Sequence, residues 1–170
     1  HLAAREPWDQ VKKCFSYSVI MQALGMIREL DGNALTGTQL QDLAALEAAA
    51  FEHPWTAEQL NGSCGYSRFL IEEEDAVLRG YLLFSVAADE AELLRVAVRP
   101  GHRGQGIAGK LVAACLESCL KQGIRRIFLE VNELNVPAIC VYERSGFTRF
   151  AVRKNYYGTN AAIMYQKELI

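Results

Sequence analysis

The sequence predicts an α/β fold in which a mixed, mostly antiparallel sheet of about seven strands carries helices on both faces. Three observations lead there. Apolar, strand-like runs separated by charged turns fill the chain between Tyr66 and Val98. The last of them, Leu93 to Val98, passes through Pro100-Gly101 and the stretch Arg103-Gly104-Gln105-Gly106-Ile107-Ala108 into a long amphipathic segment. A further run, Ile127 to Val131, leads through Asn132-Glu133-Leu134-Asn135 into a second helix that stops at a glycine.

In chain order, Met26 to Leu30 reads as the first strand. Thr38 is expected to cap a helix running to Ala50, with Leu43, Leu46 and Ala50 among its apolar positions. Thr56-Ala57-Glu58-Gln59 has the spacing of a capping box and opens a short second helix. Tyr66 to Glu72, Val77 to Ala87 and Ala91 to Val98 read as strands, the first two turning at Glu73-Glu74-Asp75. Ile107 to Gln122 is a helix closed by Gly123. At its start the first backbone N–H groups lack internal partners and the macrodipole is positive, so an anion can accept hydrogen bonds from the main chain. Gly104 and Gly106 let such a ligand come close. After Ile127 to Val131, Asn135 is a good N-cap, Pro137 fits a first helical turn and Gly146 fits the residue past the end. Thr148 to Arg153 and Ala161 to Lys167 supply the last two strands.

A chain of 170 residues with 51% hydrophobic content suits one domain with a proper core. Lys+Arg number 18 against Asp+Glu 20, so no global basic field draws the chain to nucleic acid or anionic lipid. No apolar run approaches the roughly 18 residues needed to span a bilayer, and the chain reads as soluble. Lys12-Lys13 and the residues to Met21 faintly mimic a signal peptide, but Ser16 and Ser18 interrupt the run and it reads as mature chain. His1 reads as a trimmed start. Cys14, Cys64, Cys115, Cys119 and Cys140 form neither an even disulfide set nor a C-x-x-C pair. Cys115 and Cys119, four apart on the predicted helix, read as small apolar fillers rather than a metal or redox pair, and no metal is expected.

The arginine-x-x-glycine-x-alanine loop from Arg103 to Ala108, the strand end Leu129-Glu130-Val131, the Asn135 cap and the Tyr142-x-x-x-Gly146-Phe147 closure resemble the GNAT superfamily of N-acetyltransferases, which use acetyl-CoA. Phe51-Glu52-His53-Pro54-Trp55 and Asn155-Tyr156-Tyr157 narrow the resemblance to the RimI-type enzymes, which acetylate the N-terminal alanine of a small-subunit ribosomal protein. The similarity covers roughly Met26 to Leu169. It implies a GNAT fold over residues 26–170 preceded by an N-terminal extension, residues 1–25.

The resemblance implies four tasks. The main chain of Arg103, Gly104, Gln105, Gly106, Ile107 and Ala108 would hold the CoA pyrophosphate, with Arg103 adding charge. Backbone groups of Val96, Ala97 and Val98 would pair with the pantetheine arm like an extra strand. Glu130 would take the proton from the attacking amine through water, its pKa lifted by apolar surroundings. Tyr142, two helical turns beyond Asn135, would protonate the departing sulfur, while Asn135 has both a cap and a cofactor hydrogen bond open to it. Cys140 points elsewhere on that helix, so no acyl-enzyme is expected.

In similar enzymes the peptide lies between Phe51 to Trp55 and the loop Lys154 to Asn160. Trp55, Tyr156 and Tyr157 are therefore expected to touch the incoming N-terminus, the two tyrosines being equally open to a role as packed loop anchors. His53 is not expected to take part, and Glu133 and Glu143 read either as attractants for a basic peptide or as solvated helix-end charges. Asn132 stands where the RimI pattern often has arginine, which leaves the peptide open. Broader N-terminal acetylation, a small-amine acetyltransferase and a non-catalytic CoA-binding module are the alternatives. Analogy with the family implies a cytoplasmic monomer.

Overall fold

The computed structural model describes residues 27–62 and 66–170. The expected extension, the strand start at Met26, Cys14 and Cys64 lie outside the described residues.

Seven strands form one sheet in the spatial order β1 (Ile27–Asp31), β2 (Ser67–Glu74), β3 (Val77–Ala87), β4 (Glu90–Val98), β5 (Arg126–Asn132), β7 (Asn160–Glu168) and β6 (Thr148–Tyr157). Neighbours pair antiparallel except β4 and β5, which are parallel. The helices are α1 (Gly37–Ala50), α2 (Ala57–Gly62), α3 (Ile107–Lys121) and α4 (Val136–Arg144).

Alternation along the strands splits the core into two layers. Beneath α3 and α4, Leu111, Val112 and Leu116 meet Leu70, Leu82, Ile127, Leu129 and Val131. Beneath α1 and α2, Leu43, Leu46 and Leu60 meet Phe69, Tyr81 and Leu83. Leu43 and Leu46 are fully buried, and each such side chain contributes about 1.5–3 kcal/mol through area removed from water.

Two expectations about element ends are corrected. α1 is capped by Thr36, not Thr38: Thr36 Oγ1 accepts from the Gln39 amide at 3.1 Å, and Gln39 Oε1 accepts from the Thr36 amide at 2.8 Å. The reciprocal box needs an acceptor three residues on, and Gln39 supplies it only to Thr36. β6 runs to Tyr157 rather than ending at Arg153, so Tyr156 and Tyr157 sit on a strand end and not in a long loop. Its register shifts between Arg153 and Tyr157, with Asn155 at φ 55, and a tight turn with Gly158 at φ 67 returns the chain. That irregularity absorbs the break in alternation and lets the strand continue.

β4 carries the irregularity that matters most. Leu93 pairs with Phe84 and Arg95 with Leu83, so Leu94 is an extra residue, a β-bulge. Because side chains alternate, one extra residue inverts which face each later position takes. Ala91 and Leu93 lie in the layer beneath α3, and beyond the bulge Val96 and Val98 pack there while Ala97 turns toward α1. β4 and β5 are paired only over Glu90 to Leu93 and Arg126 to Leu129, although they continue to Val98 and Asn132. Their ends therefore part in a V. α3 begins against this opening, seated on Gly80, where a Cβ would lie 2.9 Å from Ile107 Cγ2 and 3.0 Å from the Ala97 carbonyl.

Candidate active site

A cavity of about 520 Å³ fills the V, lined by Val96 and Val98 from β4, Arg103 to Gly109 except Gln105, Asn135, Pro137, Ala138, Val141 and Tyr142, with Ala50 and Phe51 closing its side. It gathers most of the expected cofactor residues. Ala97 is not among the lining residues, its side chain packing under α1, and Gln105 also stays outside the lining.

Gly106 is the N-cap of α3 in the left-handed conformation, φ 77 and ψ 14, with no side-chain cap. The first internal bond of the helix runs from the Lys110 amide to the Gly106 carbonyl at 3.1 Å, which leaves the amides of the preceding turn turned toward the cavity mouth. Gly104 also has φ 77, and nothing lies within 4 Å of a Cβ built on either glycine. The loop is thus a main-chain cradle with room for a diphosphate. Arg103 lies on its rim, where the guanidinium donates to the Ala50 carbonyl at 3.1 Å and to the Val98 carbonyl at 3.4 Å, tying the end of α1 to the end of β4.

On the far wall, Asn135 Oδ1 accepts from the Ala138 amide at 3.3 Å and caps α4. The approach is set by Asn132, whose Oδ1 accepts from the Leu134 amide at 2.9 Å. At the other end the Phe147 amide donates to the Tyr142 carbonyl at 3.0 Å and the Gly146 amide to the Glu143 carbonyl at 3.1 Å, with Gly146 at φ 88. This is a Schellman closure. It brings the Tyr142 and Phe147 rings edge to face at 6.0 Å and so fixes the tyrosine against the cavity. Burial, reinforced by Cys115 and Tyr157, raises the Tyr142 pKa, so the phenol holds its proton.

Glu130 lies on the opposite face of β5 from Ile127, Leu129 and Val131, and its apolar setting is therefore one-sided. The expected all-apolar surround is replaced by a cation: Arg153 Nη2 stands 3.3 Å from Glu130 Oε1. The same guanidinium lies 4.9 Å from the centre of the Tyr156 ring, which packs at 5.0 Å on Tyr157. Tyr157 is pushed up by burial and then by the charge of Glu130, with Arg95 pulling the other way, and it acts in turn on Tyr142. Glu130, Tyr142 and Tyr157 thus share one electrostatic neighbourhood. Glu133 and Glu143 do not belong to it. Glu133 accepts from the Ala161 amide at 2.9 Å and Glu143 from the Tyr165 hydroxyl at 2.7 Å, so both hold the fold.

Sequence reasoning missed a buried ion pair beside the groove. Glu47 is fully buried and accepts from Arg95 Nε at 2.9 Å, Arg95 Nη2 at 2.6 Å, the Trp55 amide at 2.9 Å and the Tyr81 hydroxyl. Burial opposes the charge on Arg95 and its hydrogen bonds to Glu47 more than restore it, while burial and Glu47 keep Tyr81 protonated. Removing one member of such a pair typically costs about 3–5 kcal/mol. The signal was present: Glu47 sits on the same helical stripe as Leu43, Leu46 and Ala50, and Arg95 interrupts an apolar strand.

The sequence model of the Acetyltransferase (GNAT) family matches residues 38–147. A Bacillus subtilis protein provisionally named [ribosomal protein bS18]-alanine N-acetyltransferase is 32% identical over 141 residues, 78% of this chain and 93% of that one. The Escherichia coli [ribosomal protein bS18]-alanine N-acetyltransferase is 30% identical over 132 residues, 75% of this chain and 88% of its own. A crystal structure of the ribosomal-protein-S18-alanine N-acetyltransferase from Escherichia coli superposes with a TM-score of 0.76 at 26% identity, covering 85% of this chain and 94% of that one.

Proposed function

The chain belongs to the acetyltransferase (GNAT) family, and we propose that it moves the acetyl group of acetyl-CoA onto the N-terminal alanine amine of a small-subunit ribosomal protein. The observation that carries this reading is the cavity between the parted ends of β4 and β5, which joins the open amides heading α3 to Asn135 and Tyr142. The Bacillus subtilis and Escherichia coli relatives, both named as alanine N-acetyltransferases of ribosomal protein bS18, support alanine as the acceptor.

Acetyl-CoA brings the activated thioester as a substrate. The amides from Gly104 to Ala108 grip its diphosphate, and the free edge of β4 at Val96 to Val98 aligns its arm as an added strand. A terminal α-amine titrates near ~8, against ~10.4 for lysine, so a modest base suffices. Glu130 receives the amine proton through water as the C–N bond forms. Tyr142, still protonated, gives its proton to the sulfur as the C–S bond breaks. The proton held by Glu130 returns through solvent to the phenolate, and the protein is restored without an acyl-enzyme. Trp55, Tyr156 and Tyr157 border the path of the peptide.

On the same reading the enzyme is a cytoplasmic monomer whose catalytic domain is residues 26–170, with residues 1–25 an extension. No helix among the described residues is long and apolar enough to cross a membrane. The test is thiol release from acetyl-CoA with short peptides beginning with alanine, serine or methionine, beside free polyamines. Turnover confined to alanine-first peptides is expected. Equal turnover of all three peptides would favour broader N-terminal acetylation, polyamine turnover a small-amine enzyme, and binding without turnover would end the catalytic reading.

A further inference from the structure

The bulge at Leu94 turns Arg95 toward α1, where its guanidinium meets Glu47 through two hydrogen bonds. The same planar group lies 4.4 Å from the centre of the Phe51 ring and 4.8 Å from that of Trp55. Glu47 holds the intervening segment a second way, accepting from the Trp55 amide, and Tyr81 closes the cluster from β3. Among the described residues, the polar ties from the sheet to the segment Phe51 to Trp55 run through this one carboxylate and this one guanidinium, beside the apolar packing of Phe51 and Trp55 on the core beneath α1. A fork that is hydrogen-bonded on its edge and stacked on its faces fixes orientation as well as distance, which a lysine ammonium does not. Phe51 lines the cavity, while Trp55 is only partly buried. Tyr156 and Tyr157 lie at the exposed end of β6, near enough for the Arg95 charge to act on Tyr157.

We propose that Arg95 is a positioning residue for the acceptor: locked onto Glu47, it holds Phe51 and Trp55 as a rigid aromatic wall of the peptide groove near Tyr157. The inference rests on the reading that a peptide N-terminus is the acceptor. Arg95 touches neither reacting atom, so its removal acts on acceptor binding and leaves the chemistry and the diphosphate cradle as they were. Pre-ordering the wall lowers the ordering cost met on binding.

The experiment compares wild type, Arg95→Lys, which keeps a cation beside Glu47 in the fold, and the neutral pair Glu47→Gln with Arg95→Met. Each is measured for peptide KM, kcat, acetyl-CoA KM and amide hydrogen exchange over residues 51–55. Arg95→Lys is expected to raise the peptide KM about tenfold, keep kcat and acetyl-CoA KM within about twofold, and speed exchange across residues 51–55. The double variant is expected to do the same with a larger peptide effect. Unchanged peptide KM together with wild-type exchange in Arg95→Lys overturns the proposal, as does a loss in kcat or acetyl-CoA KM as large as that in peptide KM. If wild type acetylates no peptide, the peptide reading fails by itself, and unchanged exchange in Arg95→Lys would still refute the clamp.

Discussion

Replacing Gly106 separates what the backbone at the head of α3 does for binding from what it does for folding. Gly106 sits at φ 77 and ψ 14 with open space where a Cβ would go, so the damage from a side chain is conformational rather than steric. An L-residue held in the left-handed region costs about 1–2 kcal/mol, which for a chain of this size lowers Tm by roughly 2–8 °C. Valine, branched at Cβ, relieves this by leaving that region, and the amides that follow then swing off the cavity. Each hydrogen bond lost to a charged phosphate is worth about 1.5–3 kcal/mol, or roughly 10- to 150-fold in Kd. Gly123 provides a matched control, since it has φ 75, is equally open and lies past the other end of the same helix. Calorimetric titration with CoA and thermal melts of Gly106→Ala, Gly106→Val and Gly123→Ala should give comparable losses of Tm for the two alanine variants. CoA affinity should fall only at position 106, at least tenfold for valine. Wild-type CoA affinity in Gly106→Val would refute the main-chain cradle.

Tyr142→Phe keeps the ring against Phe147 but removes the proton, so kcat should fall by about 10²-fold or more with acetyl-CoA KM unchanged; an undiminished kcat would remove Tyr142 as the acid. Glu130→Gln should lower kcat/KM for an alanine-first peptide by about 10²-fold while sparing CoA affinity, with the deficit narrowing above about pH 8, where the amine loses its proton unaided. Full activity across that range would show that Glu130 is not the base. Burial raises the pKa values of Tyr81 and Tyr142 above the ordinary value of about 10. Between about pH 10 and those raised values the fold holds protons that the unfolded chain has released, so the stabilisation is complete below about pH 10 and is lost as pH rises beyond it. Urea midpoints should fall from pH 9 to 11, less steeply in Tyr142→Phe, and a parallel decline in both proteins would contradict the assignment.

The legible parts of the fold were those with local causes. Gly123, Gly146 and Asn135 mark helix ends through backbone geometry that only a few residue types accept, so α3 and α4 could be read from sequence along with their orientation. The Tyr142-to-Phe147 closure is the clearest case, because the spacing visible in the sequence is the hydrogen-bonded ring of the helix end. Thr36 escaped because two threonines compete for one cap, and only the position of Gln39 decides between them. The continuation of β6 past Arg153 escaped because Asn155, in a left-handed conformation, breaks the alternation on which a strand is recognised. The partner of Glu130 was not legible at all. Arg153 comes from another strand, and nothing near either residue in sequence announces their meeting.

The extra residue at Leu94 acts as a phase shifter: β4 holds one residue more than regular pairing with β3 allows, and the positions after it face the right way only because the kink absorbs it. Straightening the strand with all its residues kept would put everything downstream out of phase: the Arg95 guanidinium would be driven into the greasy slab under α3, and Ala97 would face the cavity where Val96 and Val98 now stand. A deletion of the Leu94 codon, by contrast, would leave Leu93 followed directly by Arg95 on a regular ladder, with the buried ion pair and the cavity wall facing as they do now.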